Sequence, residues 1–436
     1  MGGDRRGASG AGRTRPEELG IRNLEFGIWN SFNHRPAFVI QTRVIADAFR
    51  QRSTCWQLFT LLFLCAAIAA TPIPSRISAG PIAQSAAGVV KLDDADIETL
   101  NSTRGFVRER NARDYALDNP DGINEGRYAT IGGIEQWITI RGEDRRNPVL
   151  LFLHGGPGDA TNPWGYAAFR TWLKAFTVVQ WDQRGAARTL GKSGSSVAAT
   201  ITIDRMAQDG IELAEMLRQT LHKDKIILVG HSWGSILGIF MAKARPDLFS
   251  AFVGTGQVAD PQRNYTVAYE TLLEKAMRLG ETRAIRELKE VGPPPYADGR
   301  GYGVQRRWSN LFEGADAFIA SMVGFALSAP EYRPHDIRDW FNGQVLSAER
   351  LVPQTSALTA KTLAGEFAVP VFVFQGAEDF TTPTSLARTF VQSIRAPRKR
   401  FVAIPEGGHF AVFMKRDAFL HELVTRVLPH GSTSRL

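Results

Sequence analysis

A serine between two glycines, placed between a predicted strand and a predicted helix, restricts the fold of this chain more than any other feature. Residues 226–229 are Ile-Ile-Leu-Val, an apolar and mostly β-branched run typical of a buried strand. The sequence GHSWG follows at 230–234, and residues 236–244 have the pattern of a helix. A strand, a sharp turn and a helix in this order hold the serine backbone in a strained conformation, and the two glycines leave room for it. The hydroxyl of Ser232 is then exposed at a helix N-terminus, where developing negative charge is favoured.

Apolar runs and helical patterns alternate along much of the chain. Most of the runs are apolar throughout, which is typical of strands covered by helices on both faces. The alternation predicts an α/β protein with a mostly parallel sheet and helices on both of its faces. Helices are predicted over residues 94–104, 203–220 and 410–428. Strands are predicted at residues 128–131, 134–140, 148–153, 176–181, 226–229, 248–253, 369–374 and 400–404, the first two joined by a Gly-Gly turn.

Residues 257–360 interrupt this alternation. They are mainly helical in pattern and rich in aromatic residues. A helical insertion of about 100 residues between two strands of a sheet is typical of a cap or lid. We therefore predict an N-terminal extension over 1–90, a first part of the core over 91–256, a helical cap over 257–360 and a second part of the core over 361–436.

The N-terminal extension contains a pattern typical of export. Residues 1–52 are rich in Gly and Arg, and residues 58–70 are apolar apart from Thr60. Basic residues, an apolar run and an Ala-x-Ala pattern at 67–69 follow one another in the order of a secretory signal. Residues 71–90 have the composition of a linker. We expect a periplasmic or secreted protein, with a membrane anchor as the alternative if the apolar segment is not cleaved.

Composition argues against several classes of function. The formal net charge is +8, but no run of basic residues is interleaved with aromatic residues, so nucleic-acid binding has little support. Cys55 and Cys65 are the only cysteines, and both lie in the N-terminal extension. The rest of the chain therefore has no disulfide, cysteine nucleophile or cysteine-based metal site. No pair of the eight histidines has metal-ligand spacing, so we expect no metal and no cofactor. The oligomeric state is left open.

A reactive serine needs a base to accept its proton, and the base needs an acid to orient it. Of the eight histidines, only His409 lies in a glycine-rich loop directly after a late predicted strand. His231 neighbours Ser232, but its side chain is expected to point away from the hydroxyl. The acid is expected after the strand that follows the cap, where Asp379 is the first candidate and Glu378 the competing one.

An acyl-transfer site also needs backbone donors for an oxyanion. The loop HGGPG at 154–158 follows a predicted buried strand, and a glycine pair in that place lets backbone approach a ligand closely. We predict the backbone N–H groups of Gly156 and Trp233 as the two donors. His154 is expected to hold the glycine loop in place by hydrogen bonding.

Three motifs together carry a resemblance to a known family. HGGPG at 154–158, WDQRG at 181–185 and GHSWG at 230–234 stand in this order, and GAED at 376–379 and GH at 408–409 follow. With these motifs the chain resembles the α/β-hydrolases and, within them, the proline iminopeptidase branch of serine peptidases. The resemblance covers about 125–255 and 365–425. It implies Ser232 as nucleophile, Asp379 as acid, His409 as base, and Gly156 and Trp233 as oxyanion donors.

The resemblance implies an aminopeptidase that releases residues such as proline from small peptides through an acyl-enzyme. A carboxylesterase or other small-molecule acyl hydrolase is the alternative within the fold, and a non-catalytic binding protein is the alternative outside enzymes. The chain departs from the family in the loop at 186–189. It also leaves the residues that bind substrate unassigned. The cap glutamates that could bind a substrate amine are each expected to be solvated charges on helix faces; they are Glu270, Glu274, Glu313 and Glu331.

Overall fold

The computed structural model describes residues 94–296 and 299–431. The predicted N-terminal extension, with its signal-like segment and linker, lies outside the described residues. The predicted helix at 94–104 extends to Asp114.

An eight-stranded sheet lies at the centre of the described part of the chain, in the order β1-β2-β4-β3-β5-β6-β7-β8. β1 pairs with β2 and β2 pairs with β4 in antiparallel fashion, and every other neighbouring pair is parallel. The predicted α/β fold with a mostly parallel sheet is therefore confirmed. The strands are β1 (Ile123–Ile131), β2 (Ile134–Gly142), β3 (Val149–Leu153), β4 (Thr177–Trp181), β5 (Ile226–His231), β6 (Phe249–Thr255), β7 (Val371–Gly376) and β8 (Lys399–Ile404).

The first two strands form the predicted hairpin. Ile131 lies opposite Ile134, and Gly132 and Gly133 make the turn with φ of +55° and +76°. Both values lie in the left-handed region that a two-residue hairpin turn requires and that glycine adopts without strain.

Helices cover the sheet and fill the long connection between β6 and β7. The helices outside that connection are α1 (Asp94–Asp114), α2 (Asn162–Ala168), α3 (Ala187–Ser193), α4 (Ile203–Thr220), α5 (Trp233–Ala244), α12 (Thr384–Ser393), α13 (Ala411–Met414) and α14 (Arg416–Glu422). The connection contains α6 (Pro261–Leu279), α7 (Thr282–Val291), α8 (Gly299–Phe312), α9 (Ala315–Leu327), α10 (Pro334–Ser356) and α11 (Ala360–Leu363). These six helices form the cap inserted before β7.

The hydrophobic core lies in two layers, one on each face of the sheet. One layer packs the strands against α4, α5 and α12. The other packs them against Trp172 and against Phe419 of α14, whose rings stack with centroids 5.7 Å apart. β3, β4 and β5 are buried along their whole length. Full burial of one large apolar side chain is worth about 1.5–3 kcal/mol, so these three strands contribute strongly to the stability of the sheet from which the functional loops extend.

The predicted closing helix at 410–428 is wrong as a single element. Lys415, with φ −112° and ψ 42°, interrupts it between α13 and α14, and a π-helical turn over Leu423–Val427 follows. The interruption lets two aromatic residues pack in different places. Phe413 contacts the rings of Phe152 and Trp164, whereas Phe419 stacks on Trp172.

Among the described residues, no single helix has both the length and the hydropathy needed to cross a bilayer. α8 and α9 reach those values only when taken together, and they meet at an angle of 94°.

Candidate active site

The GHSWG sequence forms the sharp turn that the strand and helix patterns predict. Ser232 lies between β5 and α5 with φ of +55° and ψ of −119°, a conformation that is strained for any residue with a side chain. A Cβ at Gly230 would lie 2.2 Å from the carbonyl oxygen of Gly234, and one at Gly234 would lie 2.2 Å from that of Leu153. Glycine is therefore required at both positions because backbone occupies the space on each side of the turn.

Three side chains from three separate loops meet beside this turn. Ser232 Oγ lies 3.2 Å from Nε2 of His409, and Nδ1 of His409 lies 3.1 Å from Oδ2 of Asp379. The imidazole and the carboxylate are almost fully buried. With Nδ1–H donating to the carboxylate, the lone pair of Nε2 faces the serine hydroxyl. This is the arrangement in which an imidazole can accept the hydroxyl proton.

The carboxylate of Asp379 is held by several donors. Oδ1 accepts the backbone N–H groups of Thr381 and Thr382, and Oδ2 accepts the side-chain amide of Gln375 and the hydroxyl of Thr382. Burial opposes its charge, but the imidazole of His409 and these hydrogen bonds outweigh burial and hold the pKa of Asp379 below its usual range. The group therefore stays ionised and can stabilise an imidazolium.

The competing carboxylate, Glu378, has a different environment. Its Oε1 accepts a hydrogen bond of 2.6 Å from Nζ of Lys275, and its side chain is 45% exposed. Of the two neighbouring acids, Asp379 is thus the one that reaches His409.

The two predicted oxyanion donors lie on elements that meet at Ser232. Trp233 is the first residue of α5, and the first N–H groups of a helix have no partner within it. A Cβ at Gly155 would lie 3.1 Å from Cβ of Ser232, so the HGGPG loop packs directly against the serine. Gly156 follows with φ of +107°, a conformation suited to glycine. Its N–H stays the predicted second donor.

Hydrogen bonds between side chains and backbone join the three motifs that carried the family resemblance. Nδ1 of His154 lies 2.9 Å from the carbonyl oxygen of Gly155, and its Nε2 accepts the backbone N–H of Gln183. The side-chain oxygen of Gln183 accepts the indole N–H of Trp233 at 3.0 Å. Hydrogen bonds of His154, Gln183 and Trp233 therefore link the HGGPG, WDQRG and GHSWG segments in the folded chain. The expected supporting role of His154 is confirmed.

His231 points away from the serine hydroxyl, as expected. Its Nε2 lies 3.0 Å from the carbonyl oxygen of His409, and burial lowers its pKa to about 3. A neutral imidazole with Nε2 protonated donates to that carbonyl and supports the loop of His409.

The four cap glutamates fall into three different environments. Glu270 and Glu274 are exposed, and Glu331 pairs with the guanidinium of Arg141 at 2.5 Å. The expectation of a solvated charge is wrong for Glu313. Its Oε1 accepts the backbone N–H of Phe380 at 2.8 Å, and its Oε2 accepts that of His409 at 2.7 Å.

Sequence reasoning missed two residues of the site, Gln375 and Thr382, and it treated Glu313 as a solvated charge. Gln375 and Thr382 lie on either side of Asp379 at the end of an apolar strand. Their polar character at that strand end is the sequence feature that could have identified them. No local pattern distinguishes Glu313 from other helix-end glutamates. No group of three or more His, Cys, Asp or Glu side chains within residues 94–296 and 299–431 is arranged to hold a metal ion.

Comparisons with known proteins identify the family of the chain. The sequence model of the family described as alpha/beta hydrolase fold matches residues 148–415. YbaC, a probable aminopeptidase of Bacillus subtilis, is 30% identical over 311 residues, which are 69% of this chain and 95% of that protein. The proline iminopeptidase of Saccharolobus solfataricus is 25% identical over 327 residues, which are 68% of this chain and 90% of that protein. Among solved structures, a proline iminopeptidase-related protein of Thermus thermophilus aligns with a TM-score of 0.48 and 18% identity, over 71% of this chain and 99% of its own.

Proposed function

The chain belongs to the α/β hydrolase fold family and is related to its proline iminopeptidase branch, and we propose that it is a serine hydrolase. Ser232 is the nucleophile, His409 the general base and Asp379 the acid that orients the base. The observation that carries the proposal is the pair of hydrogen-bond distances, 3.2 Å and 3.1 Å, that link these three side chains.

In the proposed reaction, His409 accepts the proton of Ser232 while the serine oxygen attacks the carbonyl carbon of the substrate. The backbone N–H groups of Trp233 and Gly156 stabilise the oxyanion that forms, and each such donor is worth about 3 kcal/mol of barrier. His409 then gives its proton to the leaving amine or alcohol, which leaves an acyl group on the serine. A water molecule deprotonated by His409 hydrolyses that ester and restores the free hydroxyl.

Release of an N-terminal residue from a small peptide is the activity we propose first. The relatives named probable aminopeptidase and proline iminopeptidase support it. The N-terminal ammonium of such a substrate needs a carboxylate at the edge of the site. Asp159 is in the loop of Gly156, where its Cβ lies 3.1 Å from the place of a Cβ on that glycine. Its carboxyl group is therefore attached to the loop that carries a predicted oxyanion donor.

Hydrolysis of a small acyl ester is the second candidate, and an aromatic wall beside the base is compatible with it. The ring of Phe410 lies 5.3 Å from that of His409 and 5.3 Å from that of Phe318 in α9. An apolar wall beside the base would accept an uncharged acyl group as readily as a proline ring.

Replacement of the nucleophile tests the proposal. We expect Ser232→Ala to lower kcat on p-nitrophenyl acetate and on amino-acid p-nitroanilides by about 10³-fold or more, because no other group can form the acyl-enzyme. A fluorophosphonate probe should label the wild-type protein and fail to label the variant. Ser385→Ala, which changes an exposed serine in α12, is the matched control and should keep full activity.

Turnover by Ser232→Ala at the wild-type rate would overturn the proposal, and a wild-type protein without hydrolytic activity would indicate a binding protein with this fold. A substrate panel separates the two enzyme candidates. An aminopeptidase cleaves proline and alanine p-nitroanilides with a free amine much faster than their acetylated forms. An esterase cleaves short acyl esters and makes no distinction between free and blocked amines.

A further inference from the structure

One cap carboxylate holds the backbones of the two loops that carry the acid and the base. Glu313 directly follows the last residue of α8, and its N–H bonds the carbonyl of Ser309. Its two carboxylate oxygens accept separate backbone N–H groups, one from Phe380 and one from His409. Phe380 is the residue after Asp379. A single side chain of the cap is thus bonded to both catalytic loops, through their backbones and not through the side chains of Asp379 and His409.

Gly408, the residue before His409, has no side chain and so leaves room for the carboxylate of Glu313. A Cβ at Gly408 would lie 2.5 Å from Oε2 and 2.6 Å from Cγ of Glu313. A residue with a side chain at position 408 would therefore displace the carboxylate from the N–H of His409. Gly408 is therefore needed for the close approach of Glu313 and not for a left-handed backbone, because its own φ is not in the left-handed region.

The backbone of His409 is held from the opposite side as well. Its carbonyl oxygen faces Nε2 of His231 on the strand before the serine, while its N–H faces Glu313 of the cap. Both polar groups of this peptide segment are therefore occupied by side chains from different elements. Fixing the backbone at both groups restricts where the imidazole can lie relative to Ser232.

The cap contacts the acid loop at further points. Arg306 of α8 donates to the hydroxyl of Thr381 at 2.6 Å, and Asn264 of α6 donates to the carbonyl of Thr381 at 2.7 Å. Ser309 of α8 donates to the carbonyl of Phe380 at 3.3 Å. The loop that orients Asp379 is bonded to the cap through its backbone as well as to the core.

From these contacts we infer that Glu313 is a positioning residue, through which the cap sets the relative placement of the Asp379 and His409 loops. The inference rests on the proposed function, since it assigns a role within that site.

The surroundings of Glu313 determine when it carries a charge. Burial and the nearby charge of Asp379 raise its pKa, while the two N–H donors and the charge of Arg306 oppose the rise. The rise prevails, and the pKa of Glu313 is about 8. The ionised carboxylate, whose two oxygens are both acceptors, is therefore the main form above about pH 8.

Glu313→Gln is the main test, because the amide offers one acceptor oxygen where two N–H groups require two. We expect kcat on p-nitrophenyl acetate to fall by about 10-fold or more with KM almost unchanged, and kcat on a free-amine p-nitroanilide to fall by a similar factor. Amide hydrogen exchange should become faster in peptides that cover 378–382 and 405–410. Glu349→Gln, an exposed glutamate in α10, is the matched control and should leave each of these measurements unchanged.

Ester turnover by Glu313→Gln within about twofold of wild type would overturn the inference. A loss confined to free-amine substrates, seen as a raised KM, would also overturn it and would make Glu313 a binding residue for the substrate ammonium. Glu313→Asp, which keeps a carboxyl group with two oxygens but cannot reach both loops, should show the same loss if the glutamine variant does not fold. Failure of the proposed function is seen separately, as activity or fluorophosphonate labelling that survives Ser232→Ala.

Discussion

At the scale of single residues, Thr382 connects the acid to the base. Its hydroxyl donates to Oδ2 of Asp379 at 2.8 Å and lies 3.2 Å from Nδ1 of His409. Because the Thr382 hydroxyl donates its proton to the carboxylate, a lone pair of the hydroxyl oxygen can accept a hydrogen bond from Nδ1–H of His409. The imidazole is therefore oriented by two acceptors, Asp379 and Thr382.

Thr382→Val should lower kcat by about 10- to 100-fold, because a hydrogen bond to a charged group is worth about 1.5–3 kcal/mol. Thr382→Ser keeps the hydroxyl and should stay within about threefold of wild type. Steady-state kinetics on p-nitrophenyl acetate, with melting temperatures as a check on folding, measure both effects. Thr389→Val, at an exposed threonine of α12, controls for the loss of a hydroxyl. Wild-type kcat in Thr382→Val would show that Asp379 alone orients the base.

At the scale of secondary-structure elements, the cap is joined to the core by buried polar contacts. The hydroxyl of Tyr332, between α9 and α10, donates to Oδ2 of Asp182 at 2.9 Å. Asp182 lies at the end of β4 in the WDQRG motif and also accepts from Asn162 and from the backbone of Arg188. Burial raises the pKa of Asp182 to about 7, and these donors oppose the rise. The contact therefore stabilises a carboxylate that has no access to water.

Tyr332→Phe should lower the free energy of unfolding by about 1.5–3 kcal/mol, because it leaves a buried carboxylate short of one donor. Chemical denaturation followed by tryptophan fluorescence measures the change. Tyr265→Phe removes a hydroxyl from a cap tyrosine that is 47% exposed, and should change stability by less than about 0.5 kcal/mol. Equal stability of Tyr332→Phe and wild type would mean that water replaces the hydroxyl without cost.

At the scale of the whole molecule, buried carboxyl groups make stability depend on pH. Burial raises the pKa of Asp159 to about 6, although the indole N–H of Trp340 bonds its Oδ1. The folded protein therefore binds this proton more tightly than the unfolded chain does. The contribution of this group to the free energy of unfolding falls as pH rises from about 4 to about 6 and is constant above that range.

Asp159→Asn should remove this dependence, because asparagine is neutral at every pH and keeps an oxygen for Trp340. We expect the melting temperature of the variant, relative to wild type, to increase from pH 4 to pH 6 and then to stay constant. Calorimetry between pH 4 and pH 8 measures the difference. Asp417→Asn, at an exposed aspartate of α14, should give a curve parallel to that of wild type. Parallel curves for Asp159→Asn would show that the group titrates normally in the folded protein.

Local sequence patterns determined most of the sheet and the order of the functional loops. The predicted strands agree with β3 to β8 to within a few residues, and the helix at 203–220 has the predicted bounds. A strand buried on both faces is apolar along its length, and a helix buried on one face repeats apolar residues every three or four positions, so short segments show either pattern. The helical period also occurs in α12, which was not predicted: Leu386 and Phe390 lie one turn apart and are both buried. α3 has no such period, since Gly191 and polar residues interrupt it.

The residues that meet across the site were decided by tertiary structure. The chain itself places Ser232, Asp379 and His409 at strand ends, where parallel strands bring loops to one edge of the sheet. Glu313 reaches His409 over 96 positions of sequence, and Tyr332 reaches Asp182 over 150. Such contacts produce no periodic pattern in the sequence, because a glutamate at a helix end has the same local sequence whether it faces water or a catalytic loop. Where the cap helices rest on the core, and so which carboxylate becomes part of the site, depends on packing that only the folded chain defines.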